Sequence, residues 1–381
     1  MKRILSLCLS LFLLSFAALA NAGEPTPPAL AARAWLLYDI GSNQILTQQG
    51  ADERIEPASL TKLMTAYVTF SALKAKTISM NQQVMVSENA RKSSLDGSRM
   101  FIMPGMPVSV EELVQGMIVQ SGNDACVALA ELIAGSETAF VSRMNAEAKR
   151  LGLKNSQFRN ATGLTADGHY MSPHDLALLS AAIIRDFPEY FHFYSQKEFT
   201  YNKIRQPNRN RLLFIDPSVD GMKTGHTEAA GYCLVSTAKR AGRRLISVVT
   251  GTSSDAVRTT ESQKLLNFGF LAWESAKLYS ANAPLQKVKV WQGRTNEVAI
   301  GFPRDLILSV PQGEAKQIKV ELSTRSPLKA PIQKGAALGT LKVTLEGKAL
   351  GSYNVVALET VEQAGFFGRI WDALRLWIKN L

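Results

Sequence analysis

Hydrophobic and polar positions change rhythm along this chain, and each change predicts a different kind of element. From about Ala34 to Gly50, "WLLYDIGSNQILTQQ" reads as a hairpin, with Gly41, Ser42 and Asn43 supplying turn chemistry. "EPASLTKLMTAYVTF", from Glu56, follows as an apolar helical run. Val110 to Phe187 keeps a helical period, as in "EELVQGMIVQSGNDACVALAELIAG", interrupted by the loop "NATGLTADGHYMSPHDL". "AAGYCLVSTAKRAGRRLISVVTGTS" then gives two strands around a polar turn, and "SDAVRTTESQKLLNFGFLAWE" a helix capped by Ser254 or Asp255. Strands at both ends with helices between them imply one sheet split in sequence. Beyond Pro284 the texture becomes short and β-rich ("LQKVKVWQG", "LILSV", "QIKVELS", "GTLKVTLEG"), which predicts a separate small β domain over 284–360.

The last stretch, within 361–381, is different again. In "FFGRIWDALRLWIKNL", a spacing of 100° per residue brings Phe366, Phe367, Ile370, Trp371, Leu374, Trp377, Ile378 and Leu381 into one arc of about 140°. Arg369, Asp372, Arg375 and Lys379 lie opposite, and only Leu376 strays. Sixteen residues reach roughly 24 Å as a helix, too short for the ~30 Å hydrocarbon core. Such a helix suits the plane of an anionic bilayer surface, and the competing reading is a helix docked on the β domain.

Lys2 and Arg3, an apolar run from Ile4 to Leu19 and the small residues at Ala20-Asn21-Ala22 predict an export signal cleaved after Ala22; an uncleaved N-terminal anchor is the alternative. Removing 22 of the 381 residues leaves 359, enough for two or three domains, and lowers the net charge from +11 to +9. The excess of cations suits anionic lipid or cell-wall polymer. Nucleic acid is not expected, because the chain is exported and has no basic-aromatic motif. Two cysteines remain, Cys126 and Cys233; they read as buried small hydrophobes, with a single bridge as the alternative. The four histidines show no metal-ligand spacing, so neither metal nor cofactor is expected.

The chemistry centres on Ser59 and Lys62. S-x-x-K also occurs at Ser71, Ser236 and Ser326, so the pattern needs context. Ser59 follows Pro57 near a helix start, where unpaired N–H groups favour developing negative charge. Residues i and i+3 share a helix face, so the Lys62 amine can reach the Ser59 hydroxyl. A serine needs a base, and burial among Leu60, Leu63, Met64 and Tyr67 lowers a lysine's pKa, as does a second cation. The bland reading is a surface Ser and Lys on an ordinary helix. Two later motifs outweigh it: "SGND", with Ser121 and Asn123, lies 62 residues beyond Ser59, and "KTGHT", with Lys223, Thr224 and Gly225, another 102 residues on. The ordered set is far more specific than any member, and it is a set carried by penicillin-binding proteins and related β-lactamases.

"EPASLTKLMT", "QSGNDACVALAE", "RNATGLTADG" and "VDGMKTGHTEAAGY" together resemble the low-molecular-mass penicillin-binding proteins, the serine D-alanyl-D-alanine carboxypeptidases, over nearly the whole mature length. The resemblance implies an α+β fold: an antiparallel sheet flanked by helices with a helical lobe over 23–283, then the β domain and the tail helix. It implies that Ser59 is acylated, with Lys62 as base and Ser121 as proton relay. Asn123 would bond the substrate amide, Lys223 and Thr224 the terminal carboxylate, and the backbone N–H groups of Ser59 and His226 the oxyanion, with Gly225 beside them. Arg209, in "PNRNRLLF", matches an arginine near the family's site, and "SSLDGSRMF" (93–101) would overhang the cleft. The implied substrate is the peptidoglycan pentapeptide, the inhibitors are β-lactams, and the compartment is the periplasm at the inner membrane.

The His226 side chain reads as incidental rather than as part of a Ser-His triad. A class A β-lactamase would need a water-activating glutamate, and none of Glu131, Glu137, Glu147, Glu189 and Glu198 lies in an E-x-x-L-N context. A DD-endopeptidase or a β-lactamase of the same fold, and a non-catalytic wall-binding scaffold, remain as alternatives.

Overall fold

The computed structural model describes residues 23–95 and 97–379. The export segment expected over residues 1–22, its cleavage point and Leu381 lie outside the described residues.

Strands β1 (Ala34–Asp39), β2 (Gln44–Gln49), β3 (Val219–Thr227), β4 (Gly231–Arg240) and β5 (Arg243–Thr252) form an antiparallel sheet in the spatial order β2-β1-β5-β4-β3. The N-terminal hairpin therefore pairs with strands some 200 residues later, and β3 is left at an edge. Successive side chains on a strand point to opposite faces, and both faces here are covered. Trp35, Leu37, Leu234, Leu245 and Val249 pack against Leu265 and Leu266 of a long helix, Asp255–Ala272. Leu36, Tyr38, Val235, Ile246 and Val248 face the helical lobe. Every residue of β1 is consequently buried, which is why its sequence is nearly continuous in apolar residues.

The lobe contains α1 (Lys62–Lys74), α2 (Asn123–Ala134), α3 (Glu137–Leu151) and α4 (Pro173–Asp186). The Asp255–Ala272 helix is α5. Helix starts follow local chemistry: Ser136, Ser172 and Ser254 each accept a backbone N–H from three residues on. Ser254, not Asp255, thus caps α5. Helix α1 is buried on nearly every side, as expected for a helix enclosed by the core rather than lying on it. The sequence places Ser59 near a helix start, and it lies there on a tight 3-10 turn, Ala58–Thr61, that runs directly into α1.

The β-rich remainder contains β6 (Trp273–Tyr279), β7 (Pro284–Trp291), β8 (Glu297–Gly301), β9 (Leu306–Pro311), β10 (Ile318–Thr324), β11 (Ala337–Leu345) and β12 (Lys348–Ala357). A sheet in the order β10-β11-β12-β8-β7, extended by Leu328–Lys329, encloses Val290, Val298, Ile300, Leu341, Val343 and Val355. Strand β6 precedes Pro284, where the sequence texture changes, yet it pairs with β9 beyond it. The two regions meet at Asp39, which is fully buried. Its carboxylate takes Arg243 Nε at 2.7 Å and Ser309 Oγ at 2.7 Å, while the Ser309 N–H donates to Gln44 Oε1 at 2.7 Å.

Helix α6 (Phe366–Lys379) lies against β7. Asp372 Oδ2 accepts the Gln292 N–H at 2.7 Å, and Leu376, the residue that strays from the apolar arc, is buried. Phe366, Phe367, Ile370, Trp371, Leu374, Trp377 and Ile378 are all exposed. Among the described residues no single helix is long and apolar enough to cross a membrane.

Candidate active site

The three sequence motifs converge at the edge of the sheet. Ser59 reaches the site from the 3-10 turn, Lys62 from the first residue of α1, Ser121 and Asn123 from the entry to α2, and Lys223, Thr224 and Gly225 from β3. Ser59, Ser121, Arg209, Thr224, Gly225 and His226 line a cleft of about 500 Å³, together with Gly97, Ser98, Tyr232 and Arg258. Lys62, Asn123 and Lys223 are buried behind them.

Lys62 Nζ lies 2.9 Å from Ser59 Oγ, 2.8 Å from Asn123 Oδ1 and 2.7 Å from the Thr162 carbonyl oxygen. A neutral amine has two N–H donors and one lone pair. Asn123 and Thr162 are acceptors for the donors, which leaves the lone pair facing the serine hydroxyl. Burial is the largest cause lowering the Lys62 pKa to about 8, and the Arg209 charge lowers it further, against opposing effects of Cys126 and Asp124. Arg209 thus acts as a second cation on Lys62, and Lys62 and Lys223 repel each other as well. Lys223 is itself held well below the ordinary lysine value, by burial first and then by the charges of Lys62 and Arg209. Its Nζ donates to the Thr224 carbonyl at 3.1 Å.

Ser121 follows an irregular turn, Gly116–Gln120, and takes a left-handed φ of 68°. This conformation is costly for a serine and marks a site the fold over-determines. Its hydroxyl is buried with no hydrogen-bond partner among the described residues, so it is available to a ligand. Arg209 is exposed and donates Nε to the Gln120 carbonyl at 3.1 Å. The His226 ring is exposed and packs at a tilt against Tyr232, with centroids 4.0 Å apart. Cys126 and Cys233 are buried free thiols.

Sequence reasoning assigned no role to four contributors. Asn160 Oδ1 accepts the N–H groups of Thr162 and Gly163, which turns the Thr162 carbonyl toward Lys62. Gly163 has φ +87° and passes so close that an added Cβ would fall 1.8 Å from the Ala58 oxygen. The N-x-T-G turn signature was visible, but not its partner 100 residues upstream. Arg258, on a buried face of α5, donates to the Gly225 carbonyl at 3.0 Å and lies over the Tyr232 ring. Asp124 anchors a neighbouring loop.

The family model described as D-alanyl-D-alanine carboxypeptidase, peptidase S11, matches residues 21–254, and the penicillin-binding protein 5 C-terminal domain matches residues 273–363. D-alanyl-D-alanine carboxypeptidase DacC of Escherichia coli is 45% identical over 371 residues, 95% of this chain and 93% of that protein. The crystal structure of penicillin-binding protein 5 from Haemophilus influenzae superposes with a TM-score of 0.86 at 42% identity, covering 89% of this chain and 99% of that one. Penicillin-binding protein D2 from Listeria monocytogenes, in its ampicillin-bound form, gives 0.59 at 32% identity over 64% of this chain and 99% of its own. A serine beside a depressed lysine, the paired domains and near-full-length identity agree: the chain belongs to the peptidase S11 family and is a D-alanyl-D-alanine carboxypeptidase, a serine hydrolase of the penicillin-binding proteins.

Proposed function

We propose that Ser59 is the acylated nucleophile of a two-step hydrolysis of the peptidoglycan stem pentapeptide. In the first step Ser59 Oγ attacks the carbonyl carbon of the penultimate D-alanine while Lys62 Nζ takes the hydroxyl proton. Backbone N–H groups of Ser59 and His226 hold the oxyanion. Collapse breaks the C–N bond, and Ser121 relays the proton from Lys62 to the departing D-alanine amine, which leaves Lys62 neutral again. In the second step Lys62 takes a proton from the attacking water and returns it to Ser59 Oγ as the ester C–O bond breaks. Lys223 and Thr224 receive the terminal carboxylate, with Arg209 nearby, and arrival of that anion restores the charge Lys223 disfavours in the empty cleft. Gly225 belongs to an edge strand, so main-chain hydrogen bonds from an extended substrate align the scissile bond, assisted by Asn123.

β-Lactams enter the same path, as the ampicillin-bound relative suggests. The peptidase unit of this reading runs over 23–283 and the β domain over 284–360. Residues 1–22 direct export, and α6 holds the mature enzyme to an anionic membrane surface in the periplasm, consistent with cell-wall and cell-shape work.

The observation that carries the reading is the Lys62 amine, lodged between two carbonyl acceptors with its third position turned to Ser59. Mass spectrometry of the intact protein after penicillin treatment tests it: a single adduct mapped to Ser59 supports the assignment, and an adduct elsewhere overturns it. For the tail, removal of residues 366–381 is expected to abolish sedimentation with anionic vesicles; persistence of binding overturns the anchor.

A further inference from the structure

Asp124 is fully buried, and its carboxylate accepts the N–H groups of Met100 (3.0 and 3.1 Å), Phe101 (3.1 Å), Ile102 (3.4 Å) and Ala125 (3.0 Å). Three consecutive amides can converge on one anion only if the backbone turns sharply, and Phe101 does so with φ +72°, an uncommon conformation for a bulky residue. The same loop wraps the preceding residue of the motif, Asn123. The Asn123 N–H donates to the Ser98 carbonyl at 2.7 Å and its Nδ2 to the Ser93 carbonyl at 3.4 Å, while its Oδ1 faces Lys62. Gly122 leaves the space: an added Cβ there would fall 2.7 Å from Asp124 Oδ1 and 3.0 Å from the Met100 nitrogen.

We propose that Asp124 is a positioning residue for the reaction, a buried anionic clamp that fixes the rim loop around Asn123 and so sets where Asn123 and the Lys62 amine stand relative to Ser59. The inference rests on Lys62 being the base. The charge also acts directly: Asp124 favours the ammonium form of Lys62, against burial and Arg209. The titratable groups around the pair are Cys126, Arg209 and Lys223 on the lysine side and Tyr201 on the aspartate side.

The test compares Asp124→Asn and Asp124→Glu with the wild type in full-length protein, reading kcat, KM and the pH profile on a soluble D-Ala-D-Ala peptide. Asp124→Asn removes the charge and faces part of the N–H array with an amide NH2. It should lower kcat roughly tenfold or more with a smaller change in KM, and move the acid limb of the profile to lower pH. Asp124→Glu keeps the charge but displaces the oxygens, so kcat should fall while the limb stays. Hydrogen exchange at the amides of 100–102 should accelerate in both. An unchanged kcat and limb in a folded Asp124→Asn protein overturn the clamp; if that variant does not fold, an unchanged kcat in Asp124→Glu overturns it. A wild type that penicillin fails to acylate at Ser59 overturns the base assignment and this inference together, whereas normal wild-type acylation with unmoved variants overturns the clamp alone.

Discussion

Helices α1 and α6 break the same rule in opposite directions. Helix α1 buries a lysine in the middle of the peptidase core, and α6 leaves seven large apolar side chains in water. Ordinary folding favours neither, since burying an ammonium and exposing Trp and Phe both cost free energy. On the proposed function each answers to chemistry outside the folded chain: a reaction that needs an uncharged amine, and a lipid surface to cover an apolar arc. The junction supplies the contrast. Asp39 and Arg243 are also buried charges, but each finds its counter-ion in the protein, and their work is structural. Lys62, by contrast, is held by neutral oxygens rather than by a carboxylate, and the apolar arc of α6 stays exposed.

The strongest way to break this comparison is Lys62→Arg, which preserves burial and charge but removes any accessible neutral form. Hydrolysis of a D-Ala-D-Ala peptide should fall on the order of 10⁴-fold, close to the loss in Ser59→Ala. Near-wild-type turnover would show that no uncharged amine is needed. Next is the matched pair at the junction: Arg243→Ala leaves the Asp39 carboxylate buried without its cation and should cost about 3–5 kcal/mol in denaturant unfolding. Peptide turnover per folded molecule should be unchanged. On the opposite helix, Trp371→Glu combined with Trp377→Glu should weaken anionic-vesicle binding roughly hundredfold, with soluble-peptide hydrolysis intact. The smallest effect is pH. Because burial lowers Lys62 to about 8, the amine is increasingly protonated below that value and cannot accept the Ser59 proton. We therefore expect kcat/KM to rise about tenfold per pH unit up to about 8 and then level off. A limb near the ordinary lysine value of 10.5 would show that burial leaves the amine unperturbed.

Much of this was legible in the residues. The hairpin at Ala34–Gly50, the cap of α5 and the amphipathic tail rest on interactions within a few positions, and local pattern reports them directly. The motif residues were legible too, because S-x-x-K, S-x-N and K-T-G in order constrain one another. Long-range consequences were less so. Ser59 stands near a helix start as expected, but the tighter 3-10 turn that carries it, packed against Gly163 and β3, was not legible. The effect of the Arg209 charge on Lys62 was not legible, because which cations come near a buried amine depends on how the lobe packs over the sheet.

By itself the sequence determined which groups could react, which stretches could form strands or helices, and that the tail has two chemically distinct sides. Only the tertiary structure decided that the Thr162 carbonyl would receive a Lys62 proton, that Asp124 would gather three loop amides, and that α6 would turn Asp372 and Leu376 inward and its tryptophans out. Those outcomes join residues far apart in the chain. A hydrogen bond or a buried charge takes its worth from the solvent-excluded space around it, which exists only once the whole chain has packed.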